Sequence, residues 1–182
     1  MKTGNTMTSL YPVKPVTGIL AGSDEGLKGA RLHLEELLGT VDFQSRPASF
    51  SHTGYYVEEM GLGLKRWFLS FENLIEPDRI VEIKEQTMQI EDRLSVSGKR
   101  TVNIDPGYLD YHKLVLASTK YGGQKIYLGS GIWADITLFY SKGMFHAPEW
   151  SFPDFRTGIY DKIFLDIRML YKQGLKKLNG DA

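Results

Sequence analysis

Residues 77–108, PDRIVEIKEQTMQIEDRLSVSGKRTVNIDPGY, decide the fold. Pro77 suits a first helical turn, where its missing N–H costs nothing. Ile80, Ile83, Thr87, Ile90 and Leu94 follow at three- and four-residue steps, while Glu82, Lys84, Glu85, Glu91 and Asp92 cover the other faces. That spacing predicts an amphipathic helix, and Gly98 stands where a closing glycine belongs. Arg100 to Ile104 then reads as a strand, with Asp105-Pro-Gly-Tyr108 as the turn that ends it.

Upstream, Pro15 to Ala21 is a short apolar run that suits a buried strand. Ser23-Asp24-Glu25 offers a cap and acid for a helix start. Leu27, Ala30, Leu34, Leu37 and Leu38 recur at helical spacing before Gly39. Thr40 to Phe50 is expected to contain a second strand, and His52 to Gly61 a long polar, aromatic loop. Leu64 to Glu72 alternates as a third strand. The order is βαββαβ, which fits a ferredoxin-like split βαβ core. Downstream, Asp110 to Lys120 is open between a short helix and a strand. Lys125–Leu128 and Ile132–Tyr140 read as an antiparallel pair around Gly129-Ser-Gly131. Trp133, Phe139 and Tyr140 are expected in the core. Trp150 to Arg156 is expected to fasten a final amphipathic helix, striped by Tyr160, Ile163, Phe164, Ile167, Leu170, Tyr171 and Leu178, to the sheet. The expected class is therefore α+β: residues 1–11 a loose leader, and 12–180 one domain with a C-terminal antiparallel β extension.

Composition narrows the function classes. The 182-residue chain has 22 basic and 22 acidic side chains and no cysteine. Zero net charge argues against a nucleic-acid binder, whose affinity comes largely from neutralising phosphates. Without cysteine there is no disulfide, thiolate metal site or cysteine nucleophile, which agrees with a cytoplasmic location. No apolar run is long enough to span a bilayer. Phosphate-loop, dinucleotide, nucleophile-elbow and zinc-protease motifs are all absent; Ser97-Gly-Lys-Arg-Thr101 is a fragment of a phosphate loop in the wrong structural order.

The candidate chemistry lies in scattered polar residues. His33, His52, His112 and His146 form no motif, although His52 lies near Glu58 and Glu59 in sequence. Tyr55, Tyr56, Glu58 and Glu59 place aromatics beside acids in one loop. Asp105, at the end of a strand, is a candidate base or metal ligand. Lys65, Arg66, Lys113, Lys120 and Arg156 clamp an anion if they converge.

Six stretches carry a resemblance: Tyr55–Gly61, Arg66–Phe71, Asn103–Leu109, Lys113–Lys120, Ile126–Gly129 and Trp150–Arg156. With them the chain resembles the prokaryotic domain-of-unknown-function family 4416, from Pro12 to about Arg156. Ser151-Phe-Pro-Asp-Phe155 stands where the family carries Thr-Tyr-Pro-Asp-Tyr. The resemblance implies no established reaction, though some members are labelled GTP-binding. It singles out Tyr56, Glu59, Asp105, Lys113, Lys120, Asp154 and Arg156. The resulting expectation is a small-ligand protein, enzyme or not, for an anionic or nucleotide-like molecule (GTP included). In it Asp105 and Glu59 do acid–base or metal chemistry, and Tyr56, Arg66, Lys113, Lys120, Asp154 and Arg156 bind ligand. The alternative is a non-catalytic interaction module.

Overall fold

Ser23, two residues past the first strand, caps the first helix: its Oγ accepts from the Gly26 N–H at 3.2 Å, satisfying one of the helix's orphan donors. The computed structural model, which describes residues 11–50 and 56–180, runs from there as follows. Strand β1 (Lys14–Ala21) leads to α1 (Asp24–Leu38), then β2 (Val41–Gln44) and β3 (Ala48–Ser49). A helical turn, α2 (Val57–Met60), precedes β4 (Lys65–Phe71) and α3 (Ile80–Arg93), which Pro77 introduces through a short 3-10 turn. Then come β5 (Val102–Leu109), β6 (Lys113–Ser118), β7 (Ile126–Gly129), β8 (Ile132–Ser141) and β9 (Met144–His146). Two helices, α4 (Pro153–Arg156) and α5 (Asp161–Asn179), finish the fold.

All the strands join one antiparallel sheet in the order β2-β4-β1-β5-β6-β8-β7, with β3 beside β4 and β9 beside β8. The protein is an α+β fold. Alternation sends successive side chains to opposite faces. Ile19, Trp67, Leu69, Val102 and Ile104 pack with α1 and α3 through Leu27, Leu34, Ile83 and Ile90. Val16, Phe68, Leu109, Leu114 and Leu138 meet α5 and the α4 segment on the other face. There Phe68 sits among Tyr160, Phe164 and Phe155, with ring centroids 4.8, 5.0 and 5.9 Å away. Burying one such ring contributes about 1.5–3 kcal/mol. The Trp150–Arg156 segment does fasten α5: Trp150 Nε1 and Ser151 Oγ donate to the carbonyls of Ile136 and Thr137, and Phe155 is buried.

The Thr40–Phe50 stretch does contain the second strand and adds a short third, β3; between them Ser45 Oγ accepts from the Phe68 N–H. Several local expectations are corrected. Gly98 does not cap α3, which ends at Arg93; it forms a two-residue turn with Ser97, both at positive φ, between the bridged Val96 and Lys99, as a tight hairpin requires. Asp105-Pro-Gly-Tyr108 is no turn, because the β1 ladder holds this stretch extended through Leu109. Residues 113–118 are strand, while Asp110 turns the chain by accepting from the His112 and Lys113 N–H groups. Trp133 is half-buried between Tyr121 and Tyr127, and Phe139 is exposed; both lie towards the sheet's outer edge rather than in the core. The leader as far as residue 10, and His52 and Tyr55 of the aromatic loop, lie outside the described residues. No helix among the described residues is long and apolar enough to cross a membrane.

Candidate functional site

A fork in the sheet creates the site. Strand β5 pairs with β1 along its whole length, but with β6 only from Gly107 to Leu109. The sequence dictates this. Pro106 has no N–H with which to continue the β6 ladder. At Gly107 a β-carbon would lie 2.2 Å from the Val115 carbonyl oxygen, so only glycine lets β6 come this close. Beyond it β6 peels away with β8.

Helix α3 repairs the exposed edge. The Ile104 carbonyl accepts from Lys84 Nζ at 3.1 Å, and its N–H donates to Glu91 Oε1. Lys84 and Glu91 are seven residues apart, two turns on one helical face, and both are buried. Burial pushes the Glu91 carboxyl up, against the opposing pull of the Ile104 N–H, Lys84 and Arg100.

The space left by the fork is a cleft of about 400 Å³. Its cations are Lys84, Arg100, Lys120 and Lys125; its acids are Glu91, Asp105 and Asp135; Tyr56, Tyr121 and Phe152 supply aromatic wall. Arg100 organises one side. Its Nε and Nη2 donate to both Glu59 oxygens at 2.8 and 2.6 Å, and Nη1 reaches Asn103 Oδ1 at 3.1 Å and Glu91 Oε2 at 3.4 Å. The bonds to Glu59 first, and then the Glu91 carboxylate, push the guanidinium pKa up, and Arg100 in turn pulls the Glu59 carboxyl down. On the other side Lys125 Nζ lies 3.3 Å from Asp135 and donates to Ser118 Oγ at 2.9 Å.

Behind Asp105 lies a buried network. Arg66 Nη2 is 4.0 Å from Asp105, and Nε is 3.5 Å from Asp154 without forming a hydrogen bond. The guanidinium lies over the Phe50 ring at 4.7 Å, a cation–π contact. Tyr160 donates to Asp154 at 3.1 Å, and burial first of all pushes its hydroxyl pKa up.

The sequence candidates divide accordingly. Tyr56, Asp105 and Lys120 line the cleft. Glu59 braces Arg100, and Arg66 and Asp154 support Asp105 from behind. Two fall elsewhere. Lys113 stands at the far end of β6, paired with Asp110, and the exposed Arg156 side chain reaches the Glu149 carbonyl at 3.5 Å. Neither lines the cleft. Arg100, Asn103, Lys84, Glu91, Lys125 and Asp135 were missed. One signal for them stood in the sequence: Lys84 and Glu91, read above as covering the other faces, each directly follow an apolar-face position, Ile83 and Ile90, and both are buried. Among the described residues no group of three or more His, Asp or Glu is arranged to hold a metal. A second cleft, of about 570 Å³, lies between Lys14, Asp42 and Asn73 and the end of α5 near Lys177, and gathers none of the candidates.

Such an arrangement can bind an anion through Arg100 and Lys120 while an acid, Asp105, faces the same space. Neither the curated proteins nor the solved structures contain a match to the chain. The family described as Domain of unknown function (DUF4416) matches residues 11–171, and the chain belongs to it.

Proposed function

We propose that the chain binds a small anionic ligand in the cleft between β5 and β6, as a binding protein or as an enzyme. Convergence is the observation that carries this reading: Tyr56, Asp105 and Lys120, far apart in sequence, line one cavity, and Glu59 aims Arg100 into it. The cavity falls within the roughly 300–1,000 Å³ typical of small-ligand sites. A nucleotide, GTP included, belongs to the class on chemical grounds, with phosphate on Arg100 and Lys120 and a base against the aromatic wall. Having no phosphate loop, the chain would hold it by side chains alone. Asp105 is the candidate acid–base group, whereas Glu59, engaged by Arg100, positions that arginine. The antiparallel order β2-β4-β1-β5 supports reading the first half as a ferredoxin-like split βαβ unit, and a cysteine-free sequence supports a cytoplasmic location.

A thermal-shift panel of nucleotides, sugar phosphates and divalent metals tests the reading. A ligand at about 100 times its Kd adds about 2.7 kcal/mol, a rise of roughly 5–10 °C for a domain of this size. Such a rise, lost in Lys120→Ala, is the expected result; no rise across the panel would sink the proposal. One observation favours the interaction-module reading instead. Tyr121, Ile126 and Tyr127 are 75%, 57% and 57% exposed around the outermost strand, β7. Concentration-dependent sedimentation abolished by Tyr127→Ser would support that reading.

A further inference from the structure

We propose that the ligand of this cleft is a polyhydroxylated anion of the sugar-phosphate kind, whose hydroxyl groups donate to Asp105 and Asp135. The inference rests on the anion-site reading above and specifies the ligand's other end. The cleft's hydrogen-bonding capacity is unevenly spent. Arg100, Lys84 and Lys125 already hold partners within the wall. Much of what remains is carboxylate. Asp105, 27% exposed, accepts no hydrogen bond among the described residues and has its nearest cation at 4.0 Å. Asp135, 5% exposed, leaves Oδ1 without a partner. Asn103, 6% exposed, gives Oδ1 to Arg100 and leaves Nδ2 unpartnered.

These side chains share a face. Gly107 pairs with Leu116 and Leu116 with Asp135, while Asp105 and Asn103 lie two and four residues from Gly107 on β5. The two acids therefore stand on either side of the fork. An ionised carboxylate only accepts, so the ligand must bring donors to it. An amine drawn to these acids would also be repelled by the cleft's lysines and Arg100, whereas a hydroxyl donates without a charge to repel. A bare phosphate has only its own P–OH protons to offer Asp105 and Asp135, and its charge is repelled by both. Asn103 Nδ2 suits an ester or ring oxygen between the two ends. The unpartnered Asn103 and Asp135 atoms are buried, so the ligand seats deep and turns the lining side chains aside.

Calorimetric titration of inorganic phosphate, glycerol 2-phosphate and ribose 5-phosphate separates the two claims. The expected result is affinity rising at least about tenfold from the first to the last, since each good hydrogen bond adds a few-fold or more. Asp105→Asn should remove most of that gain and leave phosphate binding unchanged or tighter. Asp135→Asn should act likewise, and Asp105→Asn carries the test if that buried variant does not fold. Equal affinity for all three compounds, or a gain that survives in the Asp105 variant, overturns the polyol assignment and leaves the anion site standing. Loss of phosphate binding in Asp105→Asn also overturns it, because it makes Asp105 a support of the anion site. No binding of any of the three overturns both readings.

Discussion

At Gly107 a single hydrogen atom in place of a methyl group decides whether β6 can lie against β5. Gly107→Ala should cost about 1–3 kcal/mol, towards the upper end because the obstructing atom is backbone. Gly123, with nothing within 4 Å of its would-be β-carbon, is the control; Gly123→Ala should stay within about 0.5 kcal/mol. Urea denaturation of the pair measures the difference. Glu59 gives a prediction in pH. Its folded-state pKa is depressed, chiefly by the Arg100 hydrogen bonds. Its stabilisation is therefore present above the unfolded carboxylate range and lost as pH falls through the folded value. The melting-temperature gap between the wild type and Glu59→Gln should narrow as pH drops from about 6 to about 3. Because the pair is partly exposed, the gap at neutral pH should be modest.

Helix α3 does at the element scale what a neighbouring strand would otherwise do, closing the Ile104 edge with Lys84 and Glu91. Removing Lys84 leaves the buried Ile104 carbonyl without its donor, so Lys84→Met should cost about 1–3 kcal/mol. Lys84→Met with Glu91→Leu should cost less than the sum of the single changes, with a coupling of about 0.5–3 kcal/mol in a double-mutant cycle by chemical denaturation. Additivity would mean that the two side chains act independently. This element also shows how far the sequence could be read. The apolar spacing of α1, α3 and α5 located the helices because their packing face is periodic. Asp105-Pro-Gly-Tyr108 misled, since turn propensity is local whereas the β1 ladder holding it extended is not. Arg100 was invisible for the same reason: its partner Glu59 is 41 residues away, and nothing in the local pattern links them.

Across the whole molecule, zero net charge conceals a local arrangement in which cations and acids share a cleft opened by a split sheet. The α1/α3 layer and α5 cover opposite faces, and at the fork α3, the sheet and the loop that carries Phe152 all contribute side chains. The central claim is that this cleft takes a small anion. The most direct measurement is a titration of the isotope-labelled protein with pyrophosphate, followed by amide NMR shifts. The account predicts saturable shifts concentrated at Arg100–Asp105 and Ser118–Lys125. Shifts centred instead on Lys14, Asn73 and Lys177, or no saturable shifts at all, would contradict it.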